Sequence, residues 1–419
     1  MFGVLRTTWP LFLGLMFLML GNGLQGTLLG IRGALEGFST GEMSVVMAAY
    51  FLGFLFASRA APEMIRKVGH VRVFAALGSF ISAVLIMFPT VTEPWAWILL
   101  RAIIGFSFCG VYITVESWLN DASTNETRGR AMSLYLIVQM AGIIAAQFIL
   151  NLGDPAGYLL FVIPSVLVSI AFAPILLTAS PAPAFSTTKR MSLKGLYTTS
   201  PLGCVAVFLL GGIFSALFGM ASVFGTQVGL SVRQISIFVA VIYTGGLLWQ
   251  YPIGWASDRM DRRKLMLGLA ALGAATSGIV TFFSALFPAI LVAGFVIGGV
   301  ANPLYSLAIA HTNDYLEPED MASASAGLLF LNGVGAIGGP LAVGWMMGQI
   351  GPGGFFLFIA LLLAAMAGYA VWRTTRRAAP SVEEQGVFVP IAPTATTVAA
   401  ATTIEALHEE GSEPQVEAS

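Results

Sequence analysis

Twelve stretches of roughly 20 residues, each almost free of charge, set the terms for everything this chain can do, because about that many residues rising 1.5 Å apiece cross the hydrocarbon core of a bilayer. They run near 8–31, 43–61, 71–90, 96–119, 131–151 and 156–178 in the first half, and near 202–226, 234–253, 265–284, 288–311, 321–347 and 353–372 in the second. Lipid offers no partner to a free N–H or C=O, so each stretch reads as a helix and the fold class is all-α. The 419 residues are 57% hydrophobic and only 10% charged, against about 25% charged in an ordinary soluble domain, which excludes a soluble enzyme. A net charge of -1 offers no basic face for nucleic acid. Cys109 and Cys204 sit in separate apolar runs and supply neither a disulfide framework nor a zinc site. The first run follows Arg6 but is too long for a signal-peptide core and lacks a small-residue cleavage site, so it counts as a span.

The distribution of Lys and Arg orients the spans. With the N-terminus inside, seventeen fall in cytoplasmic segments, two (Arg32 and Arg233) fall outside, and Arg101 is embedded. This bias places both termini in the cytoplasm and supports an even number of crossings in a cell inner membrane. The organisation expected is a six-helix bundle over 1–178, a Ser-, Thr- and Pro-rich cytoplasmic linker over 179–201, and a second bundle over 202–372. Residues 373–419 bring three Arg, then an Ala-, Thr-, Pro- and Glu-rich stretch that reads as a disordered tail.

The halves echo each other. Tyr50 and Gly53 match Tyr243 and Gly246, and Tyr112 with Asn120 and Asp121 matches Tyr305 with Asn313 and Asp314, all at a shift of 193, while Pro94 matches Pro288 at 194. Agreement in offset across separate spans indicates two repeats related by an axis along the membrane normal, with a site between them near mid-membrane.

From Gly254 the sequence reads G-W-A-S-D-R-M-D-R-R-K. This resembles the signature loop of the major facilitator superfamily, with Asp261 where that family usually carries Gly. R-A-I-I-G-F-S from Arg101 resembles a second family motif with Ser107 in place of its second Gly. V-E-S-W-L from Val115, followed by R-G-R at Arg128 to Arg130, is similar to the little-characterised bacterial YcaD-like branch. The resemblance covers residues 8 to 372 and implies twelve transmembrane helices in two pseudo-symmetric bundles. It also implies that spans one, four, seven and ten line a substrate cavity, which nominates Asn22, Gln25, Arg101, Tyr112, Ser215, Ser222, Asn302 and Tyr305. These groups suit a small amphipathic or weakly anionic solute.

Charges at the membrane edges suggest gating. Asp258 is expected to cap the cytoplasmic start of the fifth span near Ala131, where free N–H groups and the helix dipole favour an anion, with Arg259 and Arg262 steadying it. The matching first-half loop has Arg66 opposite Arg259, but Ile65 and Ala61 replace the Asp and Gly. A latch of inverted polarity would then join Arg66 and Lys67 to Glu319 and Asp320; equally, these are solvated loop charges contributing about 0 to 1 kcal/mol per pair.

Arg101 lies about six residues into its span, where a central Arg costs roughly 2.5–3.5 kcal/mol unless it faces protein or water. Two readings stay open: it satisfies backbone carbonyls around Gly21, Asn22 and Gly23, the role the family resemblance implies, or it binds an anionic substrate or takes part in coupling. Glu116, about 22 Å further along the helix, is too far to pair with it and sits near Arg128 and Arg130 as a gate charge or a proton carrier. His311 reads as a polar residue at a span end. The Gly-rich eleventh span, from Gly333 to Gly344, reads as a close-packing helix.

None of the four Lys follows Gly, so a Gly-Lys-Ser/Thr phosphate loop is absent and nucleotide hydrolysis is excluded on this chain. With three scattered His and no catalytic constellation, the chain reads as a non-enzyme without cofactors. The function expected is secondary transport of a small solute by alternating access, monomeric and proton-coupled, with efflux as one direction it could take. Uncoupled facilitation and a non-transporting receptor or scaffold are the alternatives.

Overall fold

The computed structural model describes residues 2–123, 125–176, 191–376, 385–386, 388, 390–393 and 396. Among these, all regular structure is helical. The first half contains α1 (Phe2–Leu35), α2 (Thr40–Val68), α3 (His70–Met87), α4 (Pro94–Asp121), α5 (Asn125–Ile149) and α6 (Leu159–Leu176). A short helix at Leu193–Thr199 precedes the second half: α7 (Pro201–Gln227), α8 (Val232–Ser257), α9 (Arg262–Phe282), α10 (Phe287–Asn313), α11 (Pro318–Ile350) and α12 (Gly354–Thr374). Eleven of these helices are long and apolar enough to cross a membrane, and α6 is the shorter twelfth. Residues 177–190, the last two of the sixth predicted span and much of the predicted linker, lie outside the described residues.

Helix ends obey local rules. Ser39 and Ser231 open α2 and α8 as equivalent capping boxes with Glu42 and Gln234, each satisfying two orphan N–H groups. α7 is not uniform. Its middle turn, Ala216–Met220, is π-helical, inserting a residue and rotating the face presented beyond it.

The twofold repeat is physical. α2 packs on α4 as α8 packs on α10, α1 on α5 as α7 on α11, and α3 on α6 as α9 on α12; between the halves, α2 meets α11 and α5 meets α8, again a symmetric pair. Within each pair the backbones approach closely at glycines. A Cβ on Gly53 would lie 2.0 Å from the Ala102 carbonyl oxygen, and one on Gly105 would lie 1.9 Å from that of Tyr50. In the second half Gly245 and Gly298 make the same approaches, at 2.1 Å to the Phe295 oxygen and 1.9 Å to that of Ile242. The contact therefore falls on Gly245 rather than on Gly246, the residue matched by offset alone.

At the end bearing Arg32 and Arg233 the halves are sealed together. Gly30 packs on Ser222 and Gly344 on Ser44, Gln227 donates to Thr40, and Asn151 donates to Ser236 at 3.2 Å. Toward the end carrying the basic loops the halves part, and the space between them holds residues of the C-terminal tail. Of the stretch 373–419 expected to be disordered, Arg373 and Thr374 finish α12 and Phe388, Ile391, Ala392 and Thr396 are buried, while most of 377–419 lies outside the described residues.

Gly105→Val or Gly298→Val should abolish recovery of monodisperse protein on size-exclusion chromatography, since each pushes a side chain into a neighbouring backbone. Gly368→Ala, where nothing lies within 4 Å, should elute as the parent does.

Candidate functional site

Midway along the cleft, a cavity of about 70 Å³ lies between the halves. α1 contributes Asn22, Gln25 and Gly26, α2 contributes Tyr50, Phe54 and Ser58, and α4 contributes Arg101; α7 adds Phe214 and Phe218, α11 adds Asn332 and Gly333, and Pro393 of the tail completes the wall. The surface is aromatic with a few polar groups aimed inward, the usual composition of a small-molecule site.

Those polar groups form one directed chain. Arg101 Nη1 donates to Gln25 Oε1 at 2.7 Å, Gln25 Nε2 to Asn22 Oδ1 at 3.0 Å, and Asn22 Nδ2 to the Tyr112 hydroxyl at 2.8 Å; that hydroxyl points to Met19 Sδ at 3.7 Å. Because guanidinium only donates, it fixes the orientation of both amides in turn. Arg101 Nη2 contacts Met47 Sδ at 3.4 Å, and its Cζ lies 4.8 Å from the centre of the Tyr50 ring. The residue is 3% exposed, its Nε has no partner, and no carboxylate pairs with it among the described residues. The expected contact with carbonyls around Gly21 to Gly23 is replaced by this bond to Gln25.

Of the eight residues nominated for binding, Asn22, Gln25 and Arg101 line the cavity and Tyr112 stands directly behind Asn22. The other four do not reach it. Ser215 turns its hydroxyl to Gly212 O in its own helix at 3.0 Å, Asn302 donates to Gly298 O at 3.2 Å, and Ser222 lies against Gly30 at the sealed end. Tyr305 is buried with its hydroxyl unpartnered, edge-on to Phe214. A shift of 193 pairs Asn22 with Ser215, Gln25 with Phe218, Arg101 with Gly294 and Tyr112 with Tyr305. The polar chain thus exists in the first half alone. Tyr50, Phe54, Phe214, Phe218 and Asn332 are cavity residues that the nomination missed. Tyr50 already stood out in the repeat, whereas nothing in the sequence announces the π-turn beside Phe218.

The proposed gate charges are arranged differently from expectation. Arg66 and Lys67 pair with Glu63 in their own helix, at 2.8 Å and 3.4 Å. Asp320 is exposed and no ion pair of it is found among the described residues, while the side chains of Glu319 and Arg128 lie outside them. Arg130 is exposed. Asp258 does not cap α5: that helix starts at Asn125, so the N–H of Ala131 is already spent inside it. Asp258 Oδ1 instead accepts from the Phe388 N–H at 2.9 Å, with Arg262 4.0 Å away. Arg259 stacks over Trp255 at 4.4 Å. Glu116 is fully buried and accepts from the Tyr135 hydroxyl at 2.7 Å and from Thr396. Gly254 lies against the Phe388 ring.

Arg262, 1% exposed, binds Asp314 Oδ1 at 2.5 Å and Ser257 Oγ at 3.1 Å. Burial pushes the Asp314 carboxyl above its ordinary range, against the downward pull of Arg262. Asp314 was visible in the sequence as the repeat partner of Asp121, and nothing there tied it to Arg262.

Two parallel six-helix repeats around a central, mostly aromatic cavity have the architecture of a membrane carrier. The family model described as Major Facilitator Superfamily matches residues 11–246 and again 203–406. The chain is 27% identical over 327 residues to an uncharacterized MFS-type transporter, YfkF, of Bacillus subtilis (strain 168), covering 75% of this chain and 82% of that protein. It is 25% identical over 365 residues to the uncharacterized MFS-type transporter YcaD of Escherichia coli O17:K52:H18, covering 85% and 92%. The crystal structure of the nucleoside transporter NupG superposes with a TM-score of 0.70 at 16% identity, over 89% of this chain and 100% of that one. A bacterial homolog of the human lysosomal transporter Spinster, inward-facing and unoccupied, gives 0.67 at 15% identity, over 96% and 98%. This chain belongs to the major facilitator superfamily, and it is a transporter of the YcaD-like type rather than an enzyme.

Asp314→Ala should lower the unfolding free energy by about 3 to 5 kcal/mol because it strands a buried guanidinium, whereas Arg262→Met combined with Asp314→Leu should leave it roughly unchanged. Denaturant unfolding in detergent micelles reads both.

Proposed function

We propose that this protein is a secondary transporter of the inner membrane that carries a small amphipathic anion, a compact carboxylate or phosphate with an apolar or aromatic part, by alternating access. The reading rests on one observation above all: Arg101 is buried at the cavity wall and no carboxylate pairs with it among the described residues. An uncompensated buried charge is costly, and a bound anion would relieve that cost while the surrounding Phe and Tyr rings take the rest of the solute. Asn22, Gln25 and Asn332 orient it; Tyr112 braces Asn22 from behind.

The positive-inside bias supports both termini, the basic loops and the open end of the cleft facing the cytoplasm. Glu116, a fully buried carboxylate on the same helix as Arg101, supports proton coupling, with Tyr135 as its hydrogen-bond partner. Because a single chain encloses the whole cleft, the working unit is the monomer.

The test begins with a panel of small carboxylates and phosphates against the purified protein in detergent, where a true solute at 100 times its Kd raises stability by about 2.7 kcal/mol. The solute found is then followed into proteoliposomes with and without a pH gradient. Arg101→Leu should raise the half-saturating concentration by about 10- to 150-fold, the equivalent of losing a charge-assisted hydrogen bond of roughly 1.5 to 3 kcal/mol. Stabilisation equal in parent and Arg101→Leu would remove the anion reading; flux indifferent to the gradient would replace coupling by facilitation.

A further inference from the structure

The open end of the cleft is filled by this chain's own C-terminal residues, and the filling follows a pattern. Gly386 accepts from Arg262 through its carbonyl and donates its N–H to Asp314 at 3.2 Å. Phe388 donates to Asp258 at 2.9 Å. Ile391 donates to Ser306 Oγ at 2.9 Å and accepts from the same hydroxyl at 3.2 Å. Thr396 donates its N–H to Glu116 Oε2 at 3.2 Å and its hydroxyl to the same carboxylate. These bonds are mostly to the main chain of the segment, the way grooves hold peptides, while the side chains of Phe388, Ile391, Ala392 and Thr396 are buried. Phe388 is seated on Gly254, where a Cβ would approach its ring to 2.7 Å. Ile391 is 6% exposed and Thr396 1%. Pro393 stands in the wall of the Arg101 cavity.

We propose that the open end of the cleft is a peptide-binding groove, that its ligand is the chain's own segment around Gly386 to Thr396, and that the docked segment closes the path to the Arg101 cavity. The segment touches both halves: Asp258, Arg262, Ser306 and Asp314 belong to the second, Glu116 to the first. A rocking motion that brought these helices together at this end would have to expel it. The docking stands whatever the solute; its consequence for flux rests on the transport reading, so the test measures access and not flux.

Access is read at Ser58→Cys, on the cavity wall, in a background where the buried Cys109 and Cys204 are replaced by Ala. The rate of modification by a charged maleimide is compared between the full chain and a chain ending at Glu384. A tethered segment works at an effective concentration of about 1 mM, so one with a Kd of about 0.1 mM when free is docked about 90% of the time, and its removal should speed labelling about tenfold. A synthetic peptide of residues 385–396 should return the shortened chain to the slow rate, half-acting near 0.1 mM, roughly the same Kd. In the full chain, Gly254→Leu, which fills the Phe388 seat, should speed labelling similarly and so keeps the test open if the shortened chain does not fold. Equal rates in the full and altered chains overturn the proposal. So does acceleration on shortening that the peptide cannot reverse, since that marks general loosening.

Discussion

Lipid supplies no hydrophobic force to press one apolar helix against another, so close packing has to hold this fold together. The glycine contacts Gly53 and Gly105 between α2 and α4, and Gly245 and Gly298 between α8 and α10, bring backbones together where any side chain would collide. Each bundle is thereby stiff around its own central pair. The seams between bundles, α2 with α11 and α5 with α8, are the places where relative movement is left. Stiff units joined along two symmetric seams are what a transporter of this family needs to expose one cavity to either side in turn.

Symmetry governs the scaffold and is abandoned at the chemistry. The scaffold glycines recur at shifts of 192 and 193, yet at 193 Arg101 matches Gly294 and Asn22 matches Ser215. The shorter serine turns to its own helix, and Tyr305 is left with a buried hydroxyl that has no hydrogen-bond partner among the described residues, while Tyr112 is held by Asn22. Polar chemistry thus belongs to the first bundle, and the second contributes Phe214, Phe218 and Asn332 as an apolar wall with one amide.

Much of this was readable in advance where the physics is one-dimensional. Charge-free length located the spans, the offset exposed the repeat, and the cost of a buried guanidinium singled out Arg101. What stayed hidden depends on rotation and on distant chain. Ser215 and Ser222 were nominated as the polar residues of a span implied to line the cavity, whereas the wall is formed by Phe214 and by Phe218 inside the π-turn Ala216–Met220. Asp258 was read as serving a neighbouring helix end, because nothing local reveals that Phe388, 130 residues later, offers it an N–H. The tail itself has the composition of an unfolded segment; its seat is made by Gly254, Ser306 and Glu116 acting together, and no single stretch of sequence contains that information.

The lone guanidinium has an electrical corollary. When the tail is undocked and water fills the cleft, most of the transmembrane voltage would drop across the sealed end, so a positive charge at the mid-cleft cavity would sit near the potential of the compartment it opens to. Shifting one elementary charge across 100 mV is worth about 2.3 kcal/mol. On the anion reading proposed above, an empty carrier would feel the voltage and one neutralised by a univalent anion would not, so the resting potential would bias the return stroke rather than the loaded one.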